Sequence, residues 1–315
     1  QSLIDLYTII SSLSFEGLAV KKKPFNPKVH QMKPHKGQHK IATAIFQILQ
    51  DSDMIVDEDI VESRLKKHTL QKESQPTQSP IEDAYSIRCT PQILGPIQET
   101  IEWVSRIVER ELNSSNDNPL IIPEYEDVFH NGHFHGQYIS MSMDYLSIAL
   151  TTLGNLSDRR IDRFMDKNNS NNLPPFLCDT KPGLRFGLMG GQFMATSVNA
   201  ENRSLCNPLS IQTLPSTGDF QDIVSMGLIA ARRVEEIYSN VCYIVAFELL
   251  CATRAAQLRN PEKLSGKTEI LFNIVEKLVP NNSKDECLTD YLELLANHIK
   301  NGKLLKIFKN ECKLA

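Results

Sequence analysis

The sequence predicts an all-α protein in which long antiparallel helices form a bundle. Apolar residues recur at helical spacing in several long segments, which is the pattern of amphipathic helices. The 315 residues include only 14 glycines and 16 prolines, few for a sandwich or barrel with many tight turns. Runs that alternate between apolar and polar residues, as half-buried strands do, are too short to predict a sheet.

The N-terminal part contains two predicted helices and a long connection. The first helix covers residues 2–14, where apolar side chains recur at Leu3, Leu6, Ile9, Ile10 and Leu13. Three lysines and a proline at residues 21–24 end this pattern and predict a solvated turn. The second helix covers residues 37–50. Residues 51–80 are polar and mixed, so we expect a long connection there.

The middle of the chain contains two further predicted helices. One is indicated by a helical stripe formed by Ile101, Val104, Ile107, Val108 and Leu112. Residues 113–119 form a cluster of turn formers that ends it. Residues 134–166 have apolar side chains on several faces, so we expect neighbours to bury this helix on most sides. Three cations near its C-terminal end suit the helix dipole: Arg159, Arg160 and Arg163.

The C-terminal part contains the longest predicted helix. A helix at residues 190–206 comes first. Residues 219–258 contain no proline and are interpreted as one continuous helix, with Asp219 as its N-cap and Asp222 three residues later. Shorter helices follow, and the amphipathic, basic segment 303–308 is expected to pack on the body rather than on a membrane.

Composition argues against several classes of protein. The formal net charge of −4 gives no basic field that attracts nucleic acid, so we expect no nucleic-acid partner. The longest apolar stretches fall short of the ~18 residues of a membrane span, and no signal peptide is visible, so we expect no membrane partner. Seven cysteines without CxxC pairs indicate free thiols in a reducing compartment, which predicts a cytoplasmic location.

The organisation predicts two parts of unequal size. Residues 1–260 are expected to form a central helical bundle, and residues 261–315 to form short helices that pack on it. The chain begins at Gln1, in what resembles the middle of a helix, and its first methionine is Met32. We therefore expect a fragment or a processed piece of a longer protein.

Histidines cluster at residues 130–135 with the spacing H-x-x-H-x-H. Imidazole nitrogens suit Zn²⁺ or Ni²⁺. A carboxylate partner at a diagnostic helical spacing, as in H-E-x-x-H, does not accompany them, so we expect no bound metal. The favoured alternative is a junction between a loop and a helix, in which Phe134 and its polar neighbours line a pocket.

Three other residues are candidates for binding or catalysis. Tyr85 and Arg88 stand three positions apart and would share one face of a helix. Arg88 can bind a carboxylate through two parallel hydrogen bonds, although a surface salt bridge would explain the same residue. Gln221 stands near the start of the longest predicted helix. The segment around it either caps that helix only or projects the polar groups of Gln221 into a cavity.

Six segments, taken in order, resemble motifs of the aromatic amino-acid ammonia-lyases, which comprise the histidine, phenylalanine and tyrosine lyases and the related aminomutases. The segments are PKVHQMKPHKGQ (27–38), AYSIRCTPQILG (84–95), NSSNDNPL (113–120), HNGHFHGQ (130–137), LPPFL (173–177) and QDIVSMG (221–227). The resemblance extends from near the first residue to about residue 260. It therefore covers most of the chain.

The resemblance implies a fold of the L-aspartase/fumarase-like superfamily, assembled as a homotetramer whose active sites are shared among three subunits. The implied reaction eliminates ammonia from an aromatic L-amino acid and leaves the trans-unsaturated acid. The implied cofactor is a methylidene-imidazolone prosthetic group that forms from an internal Ala-Ser-Gly, without a metal. A tyrosine on a mobile N-terminal loop is the implied general base for the weakly acidic β-proton.

Four residues match functional positions of the resembled family. Arg88 matches the arginine that binds the substrate carboxylate, and Phe134 matches a phenylalanine that packs on the prosthetic group and the substrate ring. Tyr85 and Gln221 match catalytic positions, the first beside the prosthetic group. The position of Gln221 is Glu in typical histidine lyases and Gln in phenylalanine and tyrosine lyases, so the resemblance favours a substrate other than histidine.

Three departures from the family pattern affect this prediction. Ala-Ser-Gly occurs nowhere in the 315 residues, so we expect a C-terminal portion that is inactive alone. Glu82 stands where the family has Gln, and its carboxylate would repel a substrate carboxylate unless it is protonated or paired with Arg88. His133 replaces the usual Asn before Phe134. Glu82 and His133 are expected to bind substrate, and both leave its identity open.

Alternatives of other kinds stay open. An aminomutase of the same family would move the amino group rather than release it. A helical oligomerisation scaffold without activity is the second alternative, because helices that are apolar all round must bury those faces. An elimination enzyme of the fumarase and aspartase kind would need a Gly-Ser-Ser-x-Met-Pro loop, which this sequence lacks.

Overall fold

The computed structural model describes residues 1–56, 58, 82–179, 181, 183–279 and 285–314. Its helices are α1 (Ser2–Gly17), α2 (Pro27–Gln31), α3 (Lys36–Ile48), α4 (Tyr85–Arg88), α5 (Thr90–Leu112), α6 (Gln137–Met165), α7 (Met189–Leu205), α8 (Gly227–Arg259), α9 (Gly266–Leu278), α10 (Thr289–Lys300) and α11 (Lys303–Leu314). The predicted all-α class is confirmed, because long helices packed side by side dominate the fold. Most of the predicted connection at 51–80 lies outside the described residues.

The helices predicted from apolar periodicity are present, with shifted ends. α1 extends three residues beyond its predicted end and is buried along nearly its whole length. Its polar side chains are accommodated there because Thr8, Ser11 and Ser12 donate their hydroxyls to carbonyls one turn earlier. α5 begins well before its apolar stripe, with a proline in its first turn, where a missing N–H costs no hydrogen bond.

A short β-hairpin corrects the expectation that strands are absent. β1 (Leu120–Ile122) pairs antiparallel with β2 (Asp127–Phe129), and Ile121 lies opposite Val128. Three-residue strands are too short to show a period of two in the sequence. The hairpin follows the predicted turn cluster and connects α5 to the loop that precedes α6.

The prediction that a helix begins at Asp219 is wrong. α8 begins at Gly227, and Asp219 lies in a turn with φ of 64°. Thr217 and Gly218 also have positive φ, so the chain folds back on itself and Ser216 pairs with Gln221 as an antiparallel bridge. Left-handed backbone is incompatible with a right-handed helix, so neither Asp219 nor Asp222 caps α8.

A buried ion pair lies where α1, α6 and α8 meet. Nε of Arg160 lies 2.9 Å from Oε1 of Glu248, and both side chains are fully buried. The hydroxyls of Tyr7, Ser14 and Ser157 donate to the same carboxylate at 2.9, 2.8 and 2.6 Å. Burial raises the pKa of Tyr7, so its hydroxyl stays protonated and can donate this hydrogen bond. Arg160 therefore serves a charge network in the core, which its predicted position near the end of α6 does not indicate.

One face of α6 is more exposed than its all-round apolar pattern predicts. Met141, Tyr145 and Ile148 are 42%, 50% and 47% exposed, whereas Leu150 is buried. The ring of Tyr145 meets Trp103 of α5 edge-on, with ring centroids 5.4 Å apart. Neighbours within the described part of this single chain thus bury only part of the apolar surface of α6.

The C-terminal helices pack on the body, as predicted for the segment 303–308. Leu304, Leu305 and Phe308 of α11 are 0%, 6% and 6% exposed. α8 is long and apolar enough to cross a membrane by length and composition, and 78% of its most apolar window is buried within the protein. Its apolar residues thus lie largely in the bundle core. The division into residues 1–260 and 261–315 stays a prediction.

Two carboxylates meet the N-terminus of α9. The backbone N–H of Ser265 donates to Oε1 of Glu16 at 2.7 Å, and that of Gly266 donates to Asp51 at 3.1 Å. Glu16 is fully buried and its second oxygen has no hydrogen-bond partner. Burial raises the pKa of Glu16 to about 7. This contact joins α1 to the C-terminal helices.

A candidate active site in two halves

The first half of the candidate site surrounds α4. This single turn places Tyr85 and Arg88 on one face, as the sequence predicts, and the guanidinium of Arg88 lies 5.0 Å from the centre of the Tyr85 ring. Nη2 of Arg88 lies 2.7 Å from Oε2 of Glu82. The salt bridge that was the alternative explanation of Arg88 is therefore also formed. Pairing with Arg88 offsets the negative charge of Glu82, which would otherwise repel a substrate carboxylate.

The side chains of this half are accessible to a ligand. Tyr85 is 70% exposed, and the side chains of Arg88 and Glu82 are 29% and 64% exposed. Arg88 and Glu82 border a cavity of about 360 Å³ that Cys89 and Gln92 also line. Nε of Arg88 is buried and has no hydrogen-bond partner, so the guanidinium keeps an unused donor.

Charged residues from a segment distant in the sequence form part of the wall of this cavity. The backbone N–H of Lys21 donates to Asp83 at 2.8 Å, and Nζ of Lys21 lies 3.8 Å from the same carboxylate. The backbone N–H of Lys23 donates to Glu58 at 2.8 Å, and burial raises the pKa of Glu58. The lysine run is thus not a merely solvated turn, since the Lys21 side chain is only 13% exposed.

The motif at residues 27–38 supports this wall rather than supplying chemistry. Nε2 of Gln38 contacts Nδ1 of His30 at 2.9 Å, and Nε2 of His30 contacts the carbonyl of Pro24 at 2.9 Å. Burial lowers the pKa of His30. A Cβ on Gly37 would lie 2.4 Å from the Gly95 carbonyl oxygen, so the two glycines let α3 and α5 pack backbone to backbone. Sequence reasoning found this motif through the resemblance alone.

The second half of the candidate site is the loop that precedes α6. Phe134 is 59% exposed, and His133 is exposed beside it. The backbone N–H of His133 donates to Oδ1 of Asn131 at 2.7 Å, and the backbone N–H of Asn131 donates in turn to the side-chain oxygen of Asn118 at 2.7 Å. The turn cluster that ends α5 therefore also fixes the loop that carries Phe134.

Gln221 lies in the same half, in the turn before α8. Its side-chain oxygen accepts from the Ser216 hydroxyl at 3.0 Å. A ring nitrogen of His135 contacts the Ile223 carbonyl at 3.2 Å, which joins the Gln221 segment to the loop that carries Phe134. Gln221 is exposed and not helical, so the alternative in which this segment caps a helix is wrong.

His130 and His133 of the histidine cluster are exposed on the surface of this half, and His135 is partly buried. Within the described ranges, three or more histidine, cysteine or carboxylate side chains do not come together as they would to hold a metal ion. The cluster instead serves the loop, since His135 holds the Ile223 carbonyl.

The two halves of the candidate site lie beyond opposite ends of α5. Arg88 precedes the N-terminus of α5, and Phe134 follows its C-terminus, after 23 helical residues that span about 34 Å. In the part of the chain that the structure describes, no hydrogen bond, ion pair or ring contact joins one half to the other. One chain thus brings together Glu82, Tyr85 and Arg88, and separately the segments of His133, Phe134 and Gln221.

A sequence profile of the family described as aromatic amino acid lyase matches residues 1–277. The chain is 41% identical over 303 residues to the tyrosine ammonia-lyase of Cupriavidus metallidurans, covering 96% of this chain and 57% of that protein. The solved phenylalanine aminomutase of Pantoea agglomerans is similar, with 54% identity, a TM-score of 0.92, and coverage of 95% and 58%. The tyrosine aminomutase of Streptomyces globisporus gives 35% identity, a TM-score of 0.94, and coverage of 98% and 59%. The chain thus spans less than two thirds of the length of each relative.

Proposed function

This chain belongs to the aromatic amino acid lyase family, and from that premise we propose that it is part of an enzyme that eliminates ammonia from an aromatic amino acid. In the proposed reaction the Cα–N and Cβ–H bonds break, a carbon–carbon double bond forms, and the products are ammonia and the trans-unsaturated acid. The observation that carries the proposal is the accessible Arg88 guanidinium, stacked on Tyr85 beside a cavity.

Each residue has a role in the proposed reaction. Arg88 binds the substrate carboxylate through its partly exposed guanidinium, which can form a two-point contact. Tyr85 holds the guanidinium plane through the contact at 5.0 Å. Phe134 presents an exposed ring for the aromatic ring of the substrate, next to His133. Gln221 offers an exposed amide from the same half.

The amide of Gln221 bears on the choice of amino acid. An amide cannot form an ion pair with an imidazolium ring, whereas a carboxylate at that position can. The proposed substrate is therefore phenylalanine or tyrosine rather than histidine. Two of the similar proteins are named aminomutases, so a shift of the amino group to the β-carbon is the second candidate reaction.

The prosthetic group of the family does not fit within this chain alone. The tripeptide from which the methylidene-imidazolone forms is not in the sequence. Phe134 and Tyr85, which the resemblance places beside that group, lie in different halves of the site. In the proposal the 315 residues therefore have no turnover by themselves, and the prosthetic group comes from sequence beyond them.

Subunits supply each other's missing half in the proposed assembly. The length of α5, about 34 Å, between the two halves supports sites built from different copies of the chain. Exposed apolar side chains on α6 and at the start of α8 support an extensive subunit contact, and they include Tyr138, Met141, Tyr145, Ile148, Leu228 and Ile229. The proposed assembly is a homotetramer with shared active sites.

Location and other partners are part of the same proposal. All seven cysteines are free thiols, which supports a cytoplasmic enzyme. The proposed partners are the amino acid and further copies of the chain, without nucleic acid or membrane.

The test is a substrate panel on the full-length natural protein. It is incubated separately with L-phenylalanine, L-tyrosine and L-histidine, and the absorbance of cinnamate, coumarate or urocanate is followed. Cinnamate or coumarate is expected. A β-amino acid, resolved by chromatography, would show an aminomutase instead. The proposed function would be refuted if none of the three amino acids gives a product.

A scaffold without catalysis is the competing function for the 315 residues, favoured by the exposed apolar face of α6. It predicts that the isolated chain self-associates. Sedimentation of the purified chain as a single monomeric species would refute this function.

A further inference from the structure

Glu82 and Arg88 form a charge pair at the edge of the cavity, and the two partners are unequally held. Oε2 of Glu82 lies 2.7 Å from Nη2 of Arg88. The Arg88 side chain is 29% exposed and is supported by the Tyr85 ring, whereas the Glu82 side chain is 64% exposed. Glu82 is thus the partner that can move when a ligand arrives.

The neighbouring carboxylate is not available for the same task. Asp83 accepts the backbone N–H of Lys21 at 2.8 Å and lies 3.8 Å from its ammonium group. Asp83 is therefore bound to the cavity wall. In the described part of the chain, Arg88 is the one charged partner within ion-pair distance of Glu82.

An α-amino acid carries a carboxylate and an ammonium group on the same carbon. When the amino acid binds, its carboxylate pairs with Arg88 and its ammonium group pairs with Glu82. The Glu82–Arg88 ion pair is thus replaced by two ion pairs with the ligand, and no charge is left unpaired. An acid without the amino group offers the carboxylate alone. Its carboxylate must either displace Glu82 from Arg88, which leaves the Glu82 carboxylate without a partner, or bind Arg88 next to Glu82, where the two anions repel each other.

From this geometry we infer that Glu82 and Arg88 together bind the zwitterionic end of the substrate, and that Glu82 discriminates the amino acid from its deaminated acid. The inference rests on the proposed function, because it assigns the substrate end of the same site. It makes Glu82 a specificity-determining residue that favours release of the product, which has lost its amino group.

The test is Glu82→Gln in the full-length protein. Calorimetric titration measures the affinities for L-phenylglycine, which lacks the β-hydrogen that elimination removes, and for phenylacetate, which has the same ring and carbon chain without the ammonium. L-4-hydroxyphenylglycine and 4-hydroxyphenylacetate form the second pair. We expect Glu82→Gln to weaken amino-acid binding and to strengthen binding of the acid. Each change should be about two- to five-fold, the range for an exposed ion pair.

Glu58→Gln is the matched control. It removes one carboxylate from the same cavity, and its partner there is the backbone of Lys23 rather than Arg88. A general change in cavity charge would alter the affinity for the acid in both variants, whereas opposite changes for the two ligands are expected only in Glu82→Gln. Glu82→Asp should keep the wild-type order of affinities, because it keeps the charge.

Two results would overturn the inference. One is a Glu82→Gln protein in which the affinities for amino acid and acid change in the same direction or not at all. The other is a wild-type protein that binds the matched acid as well as the amino acid. Both results come from binding, so they are distinct from failure of the proposed function, which is a lack of turnover in the substrate panel.

Discussion

Replacing Glu16 by Gln should remove a pH-dependent loss of stability. Glu16 is fully buried between α1 and the N-terminus of α9, and burial raises the pKa of its carboxyl from 4.5 to about 7. Gln keeps a side-chain oxygen that can accept the Ser265 N–H, so the variant retains the hydrogen bond seen at 2.7 Å. The substitution removes the ionisation, and the buried amide NH2 that replaces the second oxygen adds a cost that does not change with pH.

Proton binding by Glu16 in the folded and unfolded chain determines how the free energy of unfolding changes with pH. Below pH 4.5 the carboxyl is protonated in the folded and the unfolded chain, so it adds no pH dependence. Between pH 4.5 and 7 the unfolded chain releases the proton while the folded chain keeps it, so the free energy of unfolding falls as pH rises. The difference between the two pKa values corresponds to roughly 3 kcal/mol lost by pH 7 and above.

Urea unfolding of the 315-residue chain at several pH values between 4.5 and 8 measures this loss. The free energy of unfolding of Glu16→Gln, relative to wild type, should rise by roughly 3 kcal/mol across that range. Glu124→Gln is the control for the loss of a carboxylate at an exposed position. A Glu16→Gln difference that stays constant with pH would refute this reasoning.

Two further substitutions test the packing of the bundle. Glu248→Ala leaves Arg160 buried without its counter-charge, so it should reduce the free energy of unfolding by about 3–5 kcal/mol. Unfolding with guanidinium chloride measures this loss. A loss below about 1 kcal/mol would contradict the buried charge network. Gly95→Ala adds a Cβ 2.5 Å from the backbone N of Gln38 and should cost about 1–3 kcal/mol by forcing α3 and α5 apart. Gly190→Ala, whose added Cβ meets nothing within 4 Å, is its matched control and should not lower the melting temperature.

Helical periodicity was enough to predict the long helices, because packing on one or more faces leaves apolar residues at regular intervals. It could not predict where α8 begins. The eight residues before Gly227 contain no proline, and nothing in their composition reveals the left-handed backbone at Asp219. The role of Arg160 was equally hidden, since its partner Glu248 lies on another helix and only tertiary packing brings them together.

The local parts of the candidate site were predictable, and their separation was not. Spacing along one helical turn was enough to place Tyr85 and Arg88 on one face, and the structure has them in contact. The resemblance adds Phe134 and Gln221 to the same site. Motif order gives no distance, however, and the length of α5 places those residues far from Arg88 within one chain.

Subunit complementation tests the proposal of a shared site most directly. Full-length Arg88→Ala and Phe134→Ala proteins are each assayed alone and then after co-assembly from an equal mixture. Each variant alone should be nearly inactive. If Arg88 and Phe134 of one site come from different subunits, about a quarter of the sites in mixed assemblies contain both native residues, so about a quarter of wild-type activity should return. Mixed assemblies that are confirmed by mass and remain as inactive as the single variants would contradict a site built from two halves.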